Sequence, residues 1–177
     1  MAPSWRPPPS LIREVETVRK SFITPGGQDA ATPEDAWLDM ESLARVEITS
    51  EDPRYPIEAA LGPNRRPGWV AGGAGLQLVR LVFDRPQQIH RIWLHFIERT
   101  VVRTQEFVLR WGSGDGQPLR EVVRQQWVFS PTGSTHETED YRVSLRDVSV
   151  LELAISPDIS GGDAQASRAS LAEMRVA

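Results

Sequence analysis

The stretch Gln77-Leu-Val-Arg-Leu-Val-Phe-Asp84, then Arg85-Pro-Gln-Gln88, then Ile89-His-Arg-Ile-Trp-Leu-His-Phe-Ile-Glu98, followed after a short turn by Thr104-Gln-Glu-Phe-Val-Leu-Arg-Trp111, decides the fold. In all three runs apolar and polar residues alternate, which buries one face of an extended chain and wets the other. Val79, Leu81 and Phe83, and Ile92, Leu94 and Phe96, are β-branched, aromatic or aliphatic at the spacing a pleated strand requires. Three successive strands without a helix between them form the middle of an antiparallel sheet.

Outward from this centre the same period continues. Val46 and Ile48 alternate with Arg45, Glu47 and Thr49; Val123, Gln125, Trp127 and Phe129 share one side of a strand over 119–129; Tyr141, Val143 and Leu145 alternate with Arg142, Ser144 and Arg146. Leu151, Leu153 and Ile155 form another inward row, and Leu171 to Val176 is the closing strand. About eight strands at short spacing predict an all-β antiparallel sandwich of the jelly-roll kind. Residues 1–44 read as a partly helical amino-terminal extension on the main domain of 45–177. A helix is predicted over 11–20, and a second from Thr32 (cap) and Pro33 (first turn) to about Leu43.

Composition narrows the function. With 177 residues and 40% hydrophobic content there is material for one core, and zero cysteines excludes disulfides and thiolate metal centres. A net charge of −4 gives no basic field for nucleic acid. No apolar run reaches the ~20 residues of a membrane helix, and the proline-rich start lacks the features of a secretory signal, so a cytoplasmic location is the expectation. Gly112-Ser-Gly-Asp-Gly116 leads into a strand and not a helix, which makes it a hairpin turn and not a phosphate cradle. The three histidines, two of them (His90 and His95) at odd spacing in one strand, do not form a multi-histidine metal site.

If consecutive strands alternate in direction, the connections 50–75, 99–103, 130–139 and 157–167 gather at one end of the sandwich, and 85–88, 112–118 and 146–149 at the other. Loops gathered on a rigid scaffold are where binding normally sits. The candidates at that end are Arg65, Arg66, Arg99 and Arg103 for forked hydrogen bonds to an anion, His136 and Glu137 for hydroxyl groups, and Tyr55 or Trp69 for the apolar face of a ring. Solubility accounts equally for the arginines, a solvated loop for His136 and Glu137, and a buried plug for Trp69. On the face opposite Ile92, Leu94 and Phe96, the exposed row holds Trp93 and Ile97, whose expected cover is the extension, through Trp37, or a second subunit.

Ile48-Thr-Ser-Glu-Asp52, Gly68-Trp-Val-Ala71, Leu81-Val-Phe-Asp-Arg-Pro-Gln-Gln-Ile-His-Arg-Ile92, Glu106-Phe-Val-Leu109, the Gly-Asp-Gly turn and Ser170-Leu-Ala-Glu-Met-Arg-Val176, in this order, resemble the discoidin family, also called coagulation factor V/VIII type C-like domains. The resemblance covers 45–177 and implies a galactose-binding-like jelly roll that recognises sugars, phospholipid head groups or proteins without catalysis, through loops at one end. It implies a calcium ion in sugar-binding relatives, held by the first long loop and a closing-strand Glu that Glu173 matches. Leu61-Gly62 stands where those relatives carry Asp-Gly, so no cofactor is expected here. The expected function is a carbohydrate-binding module; the alternative is a protein-assembly adaptor of the same fold.

Overall fold

A computed structural model describes residues 36–62, 67–114, 116–161 and 167–177. The helix predicted over 11–20, the start of the one predicted from Thr32, and the candidates Arg65 and Arg66 lie outside them. The elements are α1 (Met40–Leu43), β1 (Ala44–Ile48), α2 (Glu58–Leu61), β2 (Trp69–Ala74), β3 (Gln77–Ile97), β4 (Arg103–Gly112), β5 (Arg120–Phe129), β6 (His136–Ser156), β7 (Arg168–Leu171) and β8 (Glu173–Val176).

The runs 77–84 and 89–98, expected as separate strands, are one strand that bends. So are the runs on either side of Arg146-Asp147-Val148. β3 pairs with β6 along both halves, with register shifts confined to the span from Val82 to Arg91. There Pro86 withholds an N–H from the ladder, residues 84–86 are exposed, and the facing Asp147 takes a left-handed φ of 56°. The two long strands therefore fold together at one level, and each contributes to two layers.

One layer holds β1, the first half of β3, the second half of β6, β4 and β5. The other holds β8, the second half of β3 and the first half of β6. Phe96 of the second layer meets Phe107 and Trp127 of the first, with ring centroids 5.6 and 5.2 Å apart. The predicted inward rows are buried: Ile92, Leu94, Leu109, Phe129, Leu151, Leu153 and Ile155 are all inaccessible.

Two further elements were not legible. Within the expected irregular span 50–75, β2 pairs with β7, Trp69 opposite Leu171. Gly68 permits this approach: its φ is +80°, and a Cβ there would lie 2.5 Å from the Leu171 carbonyl oxygen. The second predicted helix shrinks to the single turn α1, capped by Asp39 through the Glu41 N–H; residues 36–39 are not helical. Leu38 instead donates its N–H to the Val176 carbonyl at 2.8 Å. Trp37 lies over the guanidinium groups of Arg91 and Arg175, at 5.0 and 5.7 Å, so it covers the neighbours of Trp93, which stays half-exposed.

Candidate functional site

The registers fix the ends of the sandwich. A bent strand reverses direction as a turn would, so the expected gathering of connections follows. The bend level and the β4–β5 hairpin turn lie at one end. The other end holds residues 49–57 after β1 and the segments 98–102, 130–135 and 157–161. Hydrogen bonds tie these segments to one another or to the adjoining strands: Glu98 N–H to the Thr135 carbonyl at 2.9 Å, Ile159 N–H to the Thr104 carbonyl of β4 at 2.7 Å, and the Arg168 guanidinium of β7 to Asp52 at 2.9 Å.

The charged groups at this end divide into braces and rim. Arg103, expected to touch ligand, is a brace: its side chain is 3% exposed and pairs with Glu98 at 3.2 Å. It donates to the Arg168 carbonyl at 2.9 Å and the Gln105 Oε1 at 3.3 Å. Burial tends to raise the Glu98 pKa, but hydrogen bonds from the backbone and hydroxyl of Thr100, with the Arg103 charge, hold it below the usual range. The second brace is Asp52, gripped by both Arg54 and Arg168; those hydrogen bonds keep its carboxyl far below the ordinary carboxylate value.

Trp69, offered as a stacking face, is 0% exposed and belongs to the core cluster. Tyr55 is half-buried, has Arg54 over its ring at 5.7 Å, and gives its carbonyl to the Val70 N–H. Among the described residues no hydrogen bond or ring contact joins it to the rim described next.

That rim is built on Glu98. Its carboxylate accepts from Thr100 N–H, Thr100 Oγ1 and Val101 N–H at 2.8, 2.8 and 3.2 Å, which tightens the turn and leaves Arg99 exposed. Arg99 Nη2 stands 3.2 Å from His136 Nε2, and His136 Nδ1 stands 3.3 Å from His95 Nε2. An arginine only donates, so His136 accepts at Nε2 and carries its proton on Nδ1. It therefore donates to His95 Nε2, and His95 holds its own proton on Nδ1. The direction of the whole relay follows from its first member. Burial, then the neighbouring His136, lowers the His95 pKa, against the opposing pull of Glu173, which suits a neutral acceptor.

His136 and Glu137, expected in a loop, open strand β6. Consecutive strand residues point to opposite faces, so His136 is exposed while Glu137 is half-buried and accepts from Ser134 Oγ at 2.6 Å. The structure thus joins Arg99 and His136, and turns Glu137 to the opposite face, where Ser134 holds it. His95 completes the set; its signal was the outward row of β3, which the register with β6 brings to His136. Val101 and Val102, 47% and 66% exposed, supply apolar surface in the same loop.

Glu173 does not fit a calcium site. Its carboxylate is paired with Arg175, and of the first-loop acids Asp52 is engaged by two arginines and Glu51 by the Ile57 N–H, which leaves Glu58 alone to supply oxygens. Hard cations need several converging free oxygens. A transition metal between the two histidines is equally ill-suited, because the far nitrogen of a ligating imidazole should donate to an acceptor and His136 faces a donor.

No family model matches the sequence, and no curated protein matches it. Solved structures do share its fold. The CBM32 module of AlyQ, solved with 4,5-unsaturated mannuronic acid, superposes with a TM-score of 0.56 at 18% identity over 80% of this chain and 97% of that one. A CBM32 module from Clostridium perfringens, solved with GalNAc-β-1,3-galactose, gives 0.55 at 16% over 80% and 99%. A chain from the structure of reduced XRCC1 bound to the catalytic domain of DNA polymerase β gives 0.55 at 17% over 76% and 96%. The fold is the discoidin-like, galactose-binding-like jelly roll of these modules.

Proposed function

We propose that the protein is a non-catalytic recognition module that binds a carbohydrate at the loop end, through Arg99, His136 and His95. The observation that carries this reading is the Arg99–His136–His95 relay. It fixes the Arg99 guanidinium and the His95 Nδ1–H as donors on an exposed rim whose scaffold is braced underneath by the buried Arg103–Glu98 pair. Pre-ordered polar groups beside a small apolar surface suit a sugar, which offers hydroxyls on its edges and C–H groups on its face. The sugar-complexed modules of the same fold support the reading. No metal is invoked.

Calorimetry of the full chain against galactose, N-acetylgalactosamine, glucose, mannose and a uronate tests it. Binding of at least one, weakened about tenfold or more by Arg99→Ala or His136→Ala without loss of thermal stability, is the expected result. Silence from every sugar with folded protein would count against it.

A second reading, an assembly adaptor, is favoured by one observation: Trp93 is half-exposed on the flat outer face of β3, its ring 5.7 Å from that of His95. The chain of the same fold from the XRCC1–DNA polymerase β complex, a protein–protein assembly, supports it. A partner that is lost on Trp93→Ala and kept on His136→Ala would select this reading over the first.

A further inference from the structure

Strand β1 pairs on one side only, with β3. Thr49 donates its N–H to the Leu78 carbonyl at 3.1 Å, and the Ala44 N–H turns away to the Met40 carbonyl. In an antiparallel ladder, residues alternate between facing the partner and facing away. Arg45 and Glu47 therefore give their backbone groups to β3, while Val46 and Ile48 turn theirs outward. Among the described residues nothing takes them.

Along this free edge the side chains of Ala44, Val46 and Ile48 are only half-buried. With Met40, Ile57 and Leu61 they floor a groove of about 380 Å³, and the remaining lining residues are Glu41, Glu51 and Glu58. Glu51 accepts the Ile57 N–H. Glu41 and Glu58 are exposed and have no side-chain partner among the described residues. Among the described residues no lysine or arginine lines the groove; Arg45, next to Ala44 and Val46, is held by Glu47 at 2.8 Å.

We infer that this edge is a strand-addition site for an extended peptide that alternates apolar and cationic residues. Each feature selects part of that ligand. The outward N–H and C=O groups of Val46 and Ile48 ask for another backbone. The apolar floor accepts every second side chain, at strand spacing. The acidic rim prefers lysine or arginine and repels nucleic acid and anionic lipid. It also disfavours a second copy of the chain, since pairing β1 with itself would set Glu41 and Glu58 against the same acids. The site is independent of the loop-end reading, because none of its residues belongs to the relay.

The test uses the full-length protein and a fluorescein-labelled, terminally blocked nonapeptide of alternating valine and lysine, monitored by anisotropy. Saturable binding is expected, weakened about tenfold by N-methylation of the alternate amides that would face Val46 and Ile48. Added salt, or the exposed-surface pair Glu41→Gln and Glu58→Gln at unchanged melting temperature, should weaken it about fivefold. Saturating peptide should slow hydrogen exchange at the Val46 and Ile48 amides by about tenfold or more. Absence of binding at about 1 mM peptide would overturn the proposal, as would equal binding of a valine–glutamate peptide or of the N-methylated one. A dimer in light scattering that the peptide does not dissociate would also overturn it, by assigning the edge to a second copy.

Discussion

Replacing Arg103 by methionine separates a brace from a ligand contact. Methionine keeps most of the aliphatic stem and removes the guanidinium, so packing is nearly preserved and the charge is lost. Glu98, 11% exposed, then has no cation 3.2 Å away, and the Arg168 carbonyl loses its 2.9 Å donor. Breaking a buried pair from one side costs ~3–5 kcal/mol. The low end applies here, about 3 kcal/mol, because Glu98 Oε1 still accepts from Thr100 and Val101. For a domain of this size that is a melting temperature lower by ~6–12 °C and a urea midpoint lower by about 1–2 M.

A double-mutant cycle with Glu98→Gln should return a coupling of about 2 kcal/mol, since Glu98→Gln relieves the stranded charge. The acid limb supplies a further check. Glu98 titrates below its unfolded value, so its pairing stabilises the fold above about pH 4.3 and is lost as pH falls through the folded pKa. The Arg103→Met variant should lose part of that acid dependence. Saccharide binding, measured where the variant is fully folded, should survive. Wild-type stability together with abolished binding would refute the brace and return Arg103 to the rim.

Other perturbations reach different parts of the molecule. Trp69→Ala should cost ~3–5 kcal/mol in chemical denaturation because it empties a wholly buried site, while the folded fraction keeps its ligand affinity; a ligand-specific loss would mean that the ring is a binding face after all. Gly68→Ala should destabilise by more than about 1 kcal/mol, read from the urea midpoint, since both its φ and its approach to Leu171 exclude a side chain. His95 titrates below its unfolded value in the fold, so as pH falls below about 6.5 the unfolded chain binds a proton first and stability declines. That decline levels off once the folded imidazole protonates. His95→Gln should flatten this part of a melting-temperature profile, and sugar binding should fall at the lower pH where the folded imidazole protonates and the relay to His136 is broken. Addition of calcium or of a chelator should leave the melting temperature within about 1 °C, because bound ligand would otherwise raise it.

How much was legible follows from what each signal depends on. Burial alternation is local, so the inward rows of β3, β4, β5 and β6 could be read directly from their residues. The gathering of loops at one end was also legible, although for a different reason from the one supposed. A bend at Pro86 and Asp147 reverses the chain as a turn would, so counting reversals succeeds while counting strands does not. The division between rim and brace was not legible. Arg99 and Arg103 stand four residues apart in one loop segment with the same chemistry. What separates them is that Glu98 folds the turn between them, leaving one guanidinium exposed while the other is enclosed against Glu98, Gln105 and the Arg168 carbonyl. No pattern in the local sequence carries that information, because Arg168 is sixty-five residues away. The same holds for His95: its neighbour His136 is set by the register of two long strands, and a shift of one residue would send the imidazole to the core face. The relay is therefore a property of the strand pairing. A substitution that slips this register, even one remote from the loops, should abolish sugar binding as completely as removing His136 itself.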